Sequence, residues 1–280
     1  MLEVPTVTSL ERAERPVAWA EPPGPIRFLI DTGTIARSEL RKVARDPVEV
    51  LTRAAQPILW LLVFGQVLSS IRAIPTGSLS YLDFLAPGVL AQSALFSAIF
   101  YGIAVIWERD LGIVQKLLVS PASRSALVSG KALAGGLRSI VQALIVTIVA
   151  AAIGIHLRAD LLSIVGVIAI VILGSALFAT FSLNIACLVR SRERFMGIGQ
   201  LMTMPLFFAS SAIYPVALMP DWLKVVASLN PLTYMVDALR SLMIVGGVSE
   251  HGLATDFGVL SITFIVMIAI AARLYSRLAA

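Results

Sequence analysis

Long apolar stretches, broken only by short polar segments, set the rhythm of this chain. Six of them, residues 57–74, 84–106, 133–155, 161–189, 195–214 and 257–275, approach or exceed what a helix needs to cross hydrocarbon, about 20 residues. Unpaired backbone groups are costly in lipid, so each run is expected to be helical. The pattern predicts an all-α membrane protein with six transmembrane helices. The first run is short, and its helix is expected to begin near Val48 with Arg53 in the headgroup layer. The fourth is long enough to tilt.

Three segments outside the runs have patterns of their own. Residues 26–46 place Ile35, Ala36, Leu40 and Val43 on one helical face and Arg37, Arg41, Lys42 and Arg45 on the other. This predicts an amphipathic helix lying in the inner headgroup layer, ended by Asp46-Pro47. The loop 107–131 opens with Glu108, Arg109 and Asp110, acids suited to the positive end of a helix, followed by the stripe Leu111, Val114 and Leu118 and a stop at Ser120-Pro121. That composition fits both a short helix lying across the cytoplasmic face and a solvent-facing linker. Residues 215–250, punctuated by Pro215, Pro220 and Pro231, are too polar to span and too apolar for a solvated loop. Two short helices dipping into the outer leaflet fit this segment, and so does a helical hairpin resting on the surface.

Composition agrees with the runs. The 280 residues are 58% hydrophobic and 14% charged, with mean hydropathy +0.90. A soluble domain of this length has too little interior for so much apolar side chain. With the N-terminus inside, 17 of the 22 Lys and Arg fall in cytoplasmic segments. The positive-inside rule therefore predicts a multi-pass cell-membrane protein with both termini cytoplasmic. This bias accounts for the net charge of +5 without a nucleic-acid partner. Residues 1–25 are polar and Pro-rich, without the apolar core of a signal peptide, and are expected to form a disordered cytoplasmic tail.

The chemistry of the chain is sparse. Cys187 stands alone, which rules out an internal disulfide framework, and it reads as a small buried hydrophobe. His156 and His251 lie in separate loops without metal-ligand spacing, so no metal site is expected. Gly130-Lys131 is followed by Ala132 and lacks the upstream glycine of a phosphate-cradling loop. No catalytic residue and no cofactor-binding residue is therefore expected in this polypeptide. The span centres read as free of ionisable groups, with only mild polar residues such as Gln92, Gln142, Asn184 and Gln200. Coupling to a proton or ion usually needs charge at membrane depth. A transport protein without it must take its energy from a partner.

The odd segments carry a resemblance. Ile35-Ala36-Arg37-Ser38-Glu39-Leu40, Arg45-Asp46-Pro47 and Gln56-Pro57-Ile58-Leu59-Trp60, then Leu85-Ala86-Pro87-Gly88, resemble the N-terminal part of the ABC-2 type permeases. Within that family the likeness is to the daunorubicin-resistance-like drug and lipid exporters. Trp107-Glu108-Arg109-Asp110, Gly112, Lys116-Leu117-Leu118-Val119-Ser120-Pro121, Ser123-Arg124 and Gly130-Lys131 resemble the family's coupling region. Pro205-Leu206-Phe207-Phe208, Ser210-Ser211, Tyr214-Pro215, Met219-Pro220, Trp222-Leu223, Asn230-Pro231-Leu232-Thr233-Tyr234, Asp237 and Arg240 resemble its outer re-entrant signature.

The resemblance implies a division of labour over a membrane domain of residues 47–280. Residues 108–120, with Glu108, Arg109, Asp110, Leu111, Gly112, Val114, Leu118 and Pro121, would be a coupling helix docking on an ABC ATPase subunit. Residues 26–46 would be the interface helix beside it. Residues 215–245, with Tyr214, Pro215, Pro220, Trp222, Asn230, Pro231, Tyr234, Asp237 and Arg240, would form the outer gate. ATP and Mg would sit on the partner subunit. A second permease copy or paralogue and membrane lipid complete the expected partners. The cargo would be hydrophobic or amphipathic: a drug, a lipid or a lipid-linked glycan. Two other classes fit the spans alone. An ion- or proton-coupled secondary transporter or channel would act without an ATPase, and a membrane scaffold would carry no cargo.

Overall fold

The computed structural model describes residues 24–44, 47–71, 74–118, 122–189 and 191–275. The tail 1–23, Arg45-Asp46 and Pro121 lie outside them. Among the described residues the chain is almost entirely helical, with no strand beyond an isolated bridge between Leu157 and Ile244. The helices are α1 (Gly24–Ala44), α2 (Pro47–Leu59), α3 (Gln66–Ile71), α4 (Tyr81–Asp110), α5 (Ile113–Leu118), α6 (Arg124–Ala152), α7 (Leu161–Leu188), α8 (Arg192–Phe208), α9 (Asp221–Leu229), α10 (Pro231–Met243) and α11 (Leu253–Leu274).

Four long helices begin in the same way. Ser80, Ser123, Asp160 and Ser191 are extended residues whose side chains accept from the backbone N–H three positions on, at 3.1, 3.2, 2.9 and 3.3 Å. Each satisfies one of the donors a helix start leaves orphaned. Span 1 is less regular. Pro57 sits inside α2, and the wider π-helical turn Trp60–Gly65 carries the chain on into α3. A proline removes one helical hydrogen bond and crowds the preceding turn, so a local change of winding there has a plain cause.

Five helical segments among the described residues are long and apolar enough to cross a membrane: Ala54–Ile71, Tyr81–Asp110, Arg124–Ala152, Leu161–Leu188 and Leu253–Leu274. The sequence pattern predicts six. The difference is run 195–214, which becomes the 17-residue α8 and an irregular turn from Ala209. α8 nevertheless follows α4 for most of its length. Arg192 at its start pairs with Asp110 at the end of α4, and Ala212 beyond its other end touches Gly88 near the beginning of α4. At 1.5 Å per residue, Gly88 and Asp110 stand roughly 33 Å apart along that helix.

The core forms around α7, which packs against α4, α6, α10 and α11. Its C-terminal half is buried, whereas Leu161, Leu162, Ile164 and Val165 near its start face outward. α6 begins at Arg124, well before the apolar run at residue 133. Lys131, which the apolar pattern leaves in a loop, therefore lies inside a helix and is 1% exposed. The loop assigned to 107–131 is corrected at this point: its last residues belong to α6, and a buried charge stands near that helix's start, away from the span centre. α1 packs along α6 with Thr32, Ala36 and Glu39 turned inward and Arg37 and Arg41 outward.

Candidate functional site

The residues singled out by sequence gather at the two ends of α4. From Asp83 to Glu108 that helix rises roughly 37 Å, so the groups are far apart and joined by one continuous element.

At the end marked by Glu108, α4 runs through Asp110 and stops at Leu111-Gly112. Gly112 has φ +71, a left-handed conformation suited to glycine, and this turn separates α4 from the short α5. The expected helix over 108–120 is thus divided: Glu108, Arg109 and Asp110 belong to α4, and Val114 and Leu118 to α5. Leu111 and Val114 do not share a helical face. Val114 is fully buried, while Leu111 is 65% exposed.

Glu108 turns into the bundle. Lys131 Nζ of α6 donates to Glu108 Oε2 and lies 3.5 Å from Glu39 Oε1 of α1. One ammonium thus joins carboxylates from two other helices, all three side chains buried. Charges removed from water survive only when closely paired. The buried Tyr101 ring lies beside this group, with the Arg138 guanidinium 5.5 Å from its centroid. Further out, Arg192 Nε and Nη2 donate to Asp110 Oδ2 at 3.1 and 2.7 Å, and the Arg192 guanidinium lies 3.6 Å over the Trp107 ring. Arg109 Nη1 donates to Val189 O at 3.2 Å.

At the other end, the chain leaves α8, makes a single 3-10 turn at Val216–Leu218, and returns through α9 and α10. Pro220 precedes α9, and Pro231 fills the first position of α10, where its missing N–H costs nothing. Asn230 serves two helices at once. Its Oδ1 accepts from Leu232 N at 3.0 Å, and its Nδ2 donates to Leu206 O at 2.7 Å and Ala209 O at 3.1 Å. Tyr214 Oη donates to Phe208 O, and Tyr234 Oη donates to Ser228 O at 2.7 Å. Pro215 is half-buried, and Trp222 is 68% exposed.

Arg240 is buried against the Phe84 ring at 3.8 Å, and its Nη2 donates to Ser211 O at 2.6 Å. Burial pushes its pKa down to about 10, against the pull of Asp237 and Glu250, so it keeps its charge near neutral pH. Asp237 accepts from Glu250 N and His251 N, each at 3.0 Å. Asp83 at the start of α4 accepts from His156 N at 3.0 Å. Gly88 lies so close to the turn after α8 that an added Cβ would sit 2.3 Å from Ala212 O.

Between the ends, α2, α4 and α8 border an outward-facing groove of about 240 Å³ lined by Gln56, Phe96, Phe100, Met196, Gln200 and Thr203 among others. Sequence reasoning missed three groups. The Glu39–Lys131–Glu108 cluster joins residues from three helices distant in sequence, and although Glu108 and Lys131 were each noted, nothing in the pattern paired them. The groove arises from packing. The third group, Asp237, His251 and Asp256, converges from α10, a loop and α11. The spacing of the two histidines does not reveal it, because two of its members are aspartates.

Long apolar helices packed around α7, with polar clusters at both ends, define a multi-pass helical membrane protein. Residues 31–244 match the ABC-2 type transporter family, and the chain belongs to that family. The "Daunorubicin resistance ABC transporter permease protein DrrB1" of Streptomyces coeruleorubidus is 23% identical over 83% of this chain and 80% of its own. Nodulation protein J of Bradyrhizobium diazoefficiens is 29% identical over 76% of this chain and 80% of its own. The ycf38 protein of Cyanophora paradoxa is also 29% identical, over 77% of this chain and 74% of its own.

Proposed function

We propose that this chain is the transmembrane permease subunit of an ATP-driven exporter. It works with a separate nucleotide-binding subunit and a second permease copy or paralogue. The cargo is hydrophobic or amphipathic, a drug, lipid or lipid-linked glycan, and it moves outward from the cytoplasm or inner leaflet. Beyond family membership, the observation that carries this reading is α4, one uninterrupted helix held at its inner end by Glu108 and Asp110 and in contact at its outer end with the turn after α8. A push on one end of such a helix is delivered at the other.

In this reading α5 and the turn before it, with Leu111 exposed, dock on the ATPase. α1 is the interface helix, locked to α4 and α6 through Lys131. α8 makes the sixth crossing. It is roughly 26 Å long, near the short end of what spans a bilayer, and its companion α4 crosses fully. Six crossings put both termini on one side, and the Lys and Arg bias makes that side the cytoplasm. α9 and α10 form the outer re-entrant segment and gate. The groove beside α8, mostly apolar with two glutamines, suits an amphipathic cargo. ATP and Mg act on the partner subunit, whose closure moves the two permeases as rigid bodies.

The test is the chain purified with its ATPase and reconstituted into vesicles. Leu111→Arg changes an exposed side chain, so folding is expected to survive, while substrate-stimulated ATP hydrolysis and export fall at least tenfold together. Vectorial transport by the chain alone, in vesicles without any nucleotide hydrolase, would sink the proposal.

A further inference from the structure

The segment between α10 and α11 carries oxygen atoms that are short of protons. Asp237 on α10 is 2% exposed, and Asp256 in the first turn of α11 is fully buried. Ser249 Oγ lies 3.1 Å from Asp237 Oδ2 and 2.9 Å from Asp256 Oδ2. A hydroxyl has one proton, so it satisfies only one of these carboxylates. One of its two lone pairs is engaged as well, since Gly252 N donates to the same Oγ at 2.7 Å. The other oxygen of Asp256, Oδ1, has no hydrogen-bond partner among the described residues. The nearby guanidinium of Arg240 hydrogen-bonds Ser211 O and neither carboxylate. Asp237 also accepts from Glu250 N and His251 N, so it is Asp256, buried beside it at a shared hydroxyl, that calls for a positive charge between the two.

His251 supplies the missing kind of ligand. Its Nδ1 is 3.0 Å from Asp237 Oδ2, and its ring is held against Tyr234 with centroids 5.0 Å apart. One ligand atom each from Asp237, His251 and Asp256 lies within 4.8 Å of the other two. Zinc–nitrogen and zinc–oxygen bonds near 2.0–2.2 Å set neighbouring ligands about 3.3 Å apart in a tetrahedron. The His251–Asp237 contact needs to open by only about 0.3 Å to meet that spacing, and the remaining pairs close from no more than 4.8 Å. His251 is exposed on its other side, which leaves a route from solvent.

We infer that Asp237, His251 and Asp256 form a binding site for a divalent cation of the zinc class, with Ser249 or water as a fourth ligand. An imidazole nitrogen with carboxylate oxygens suits Zn²⁺ and its neighbours over Mg²⁺, which favours an all-oxygen shell. The bound ion staples α10 to the start of α11. Binding does not depend on the exporter reading, since it requires only that these residues meet as described.

The experiment uses the full-length chain in detergent micelles, purified through a histidine-free tag, with Zn²⁺ alone as the probe. Equilibrium dialysis with metal analysis is expected to show one Zn²⁺ per chain. Affinity is expected to fall at least tenfold in His251→Ala and in Asp256→Asn and to be unchanged in His156→Ala. The chain has only two histidines, so a second readout needs no variant. In the wild type, Zn²⁺ is expected to shield His251, and not His156, from diethyl pyrocarbonate as read by peptide mass. No stoichiometric Zn²⁺, binding undiminished in both site variants, or His251 modification indifferent to Zn²⁺ would each overturn the proposal. A site that responds only to pH would overturn it too, since a proton then fills the place assigned to the cation. Should the variants fail to fold, the wild-type shielding decides alone.

Discussion

The two ends of α4 are held by different physics. At the Glu108 end the ties are long charged side chains from elements distant in sequence: Glu39, Glu108 and Lys131 inside, Asp110 and Arg192 outside. At the Gly88 end one long charged side chain, Arg240, reaches Phe84 and Ser211 O, but most ties are backbone contacts, prolines and short polar side chains, with Asn230, Asp237 and Asp83 each satisfying main-chain groups. Long side chains that meet at one ion cluster constrain the relative orientation of their helices less than they constrain distance, so such helices pivot more readily than capped ones. A cap on main-chain groups fixes orientation too. If the chain works as the exporter subunit proposed above, the charged ties lie beside the ATPase and the stiffer closure at the far end, an arrangement suited to transmitting movement.

Lys131→Ala tests the charged end most severely. It leaves Glu39 and Glu108 buried without the ammonium they share, and the expected loss is about 3–5 kcal/mol. Thermal unfolding of the purified chain reads it directly. The comparison sharpens if Glu39→Gln, Lys131→Met and Glu108→Gln are made together. Removing all three charges is expected to restore much of the stability while ATP-coupled export stays impaired, because a neutral contact packs the helices without the ion pairs. A cost below about 1 kcal/mol for Lys131→Ala would mean the cluster is not what joins α1 to the bundle.

This cluster also marks where sequence reading stopped. Apolar runs locate helices because lipid punishes polarity: one run falls within a helix long and apolar enough to span, three more lie on such helices and overrun their ends slightly, and the first straddles α2, the π turn and α3. The same logic ends a span at the first charge. It therefore assigned Lys131 to a loop, although α6 begins at Arg124 and buries it. The compensating carboxylates come from α1 and α4, and no local pattern announces a partner so remote. The proline signature of the outer segment was legible because it acts locally: Pro220 and Pro231 start helices just where a proline is tolerated. The meeting of Asp237 with Asp256 was not, since it depends on how α10 lies against α11.

At the capped end, Asn230→Ala removes hydrogen bonds at the close of α8 and the start of α10 together, and it strands two carbonyls. One lost cap costs roughly 0.5–2 kcal/mol. Buried groups left unsatisfied add to that, so about 2–3 kcal/mol is expected. Asn230→Asp keeps the acceptor for Leu232 N and loses the two donors, so it separates the contributions. Gly88→Ala comes next, at roughly 1–3 kcal/mol, because Ala212 O belongs to backbone and yields less readily than a side chain. Both are measured by unfolding, and under the proposed function both are expected to lower export by more than the lost folded fraction, since each lies where α4 meets the segment assigned to the gate.

Arg192→Gln is the smallest change and the most useful for telling the ends apart. The Arg192–Asp110 pair is about one-third exposed on both sides, and such pairs contribute up to about 1 kcal/mol. Contact with the exposed Trp107 ring adds roughly 0.5–1 kcal/mol. The pair is screened by salt, whereas Lys131 is closed off from it. At about 1 M salt the Debye length shrinks to roughly 3 Å. The stability difference between wild type and Arg192→Gln is then expected to narrow to what the ring contact contributes, while the Lys131→Ala deficit stays as it was. Equal salt sensitivity of the two variants would show that water reaches Lys131, and the distinction between a buried pivot and a surface latch at this end of α4 would be lost.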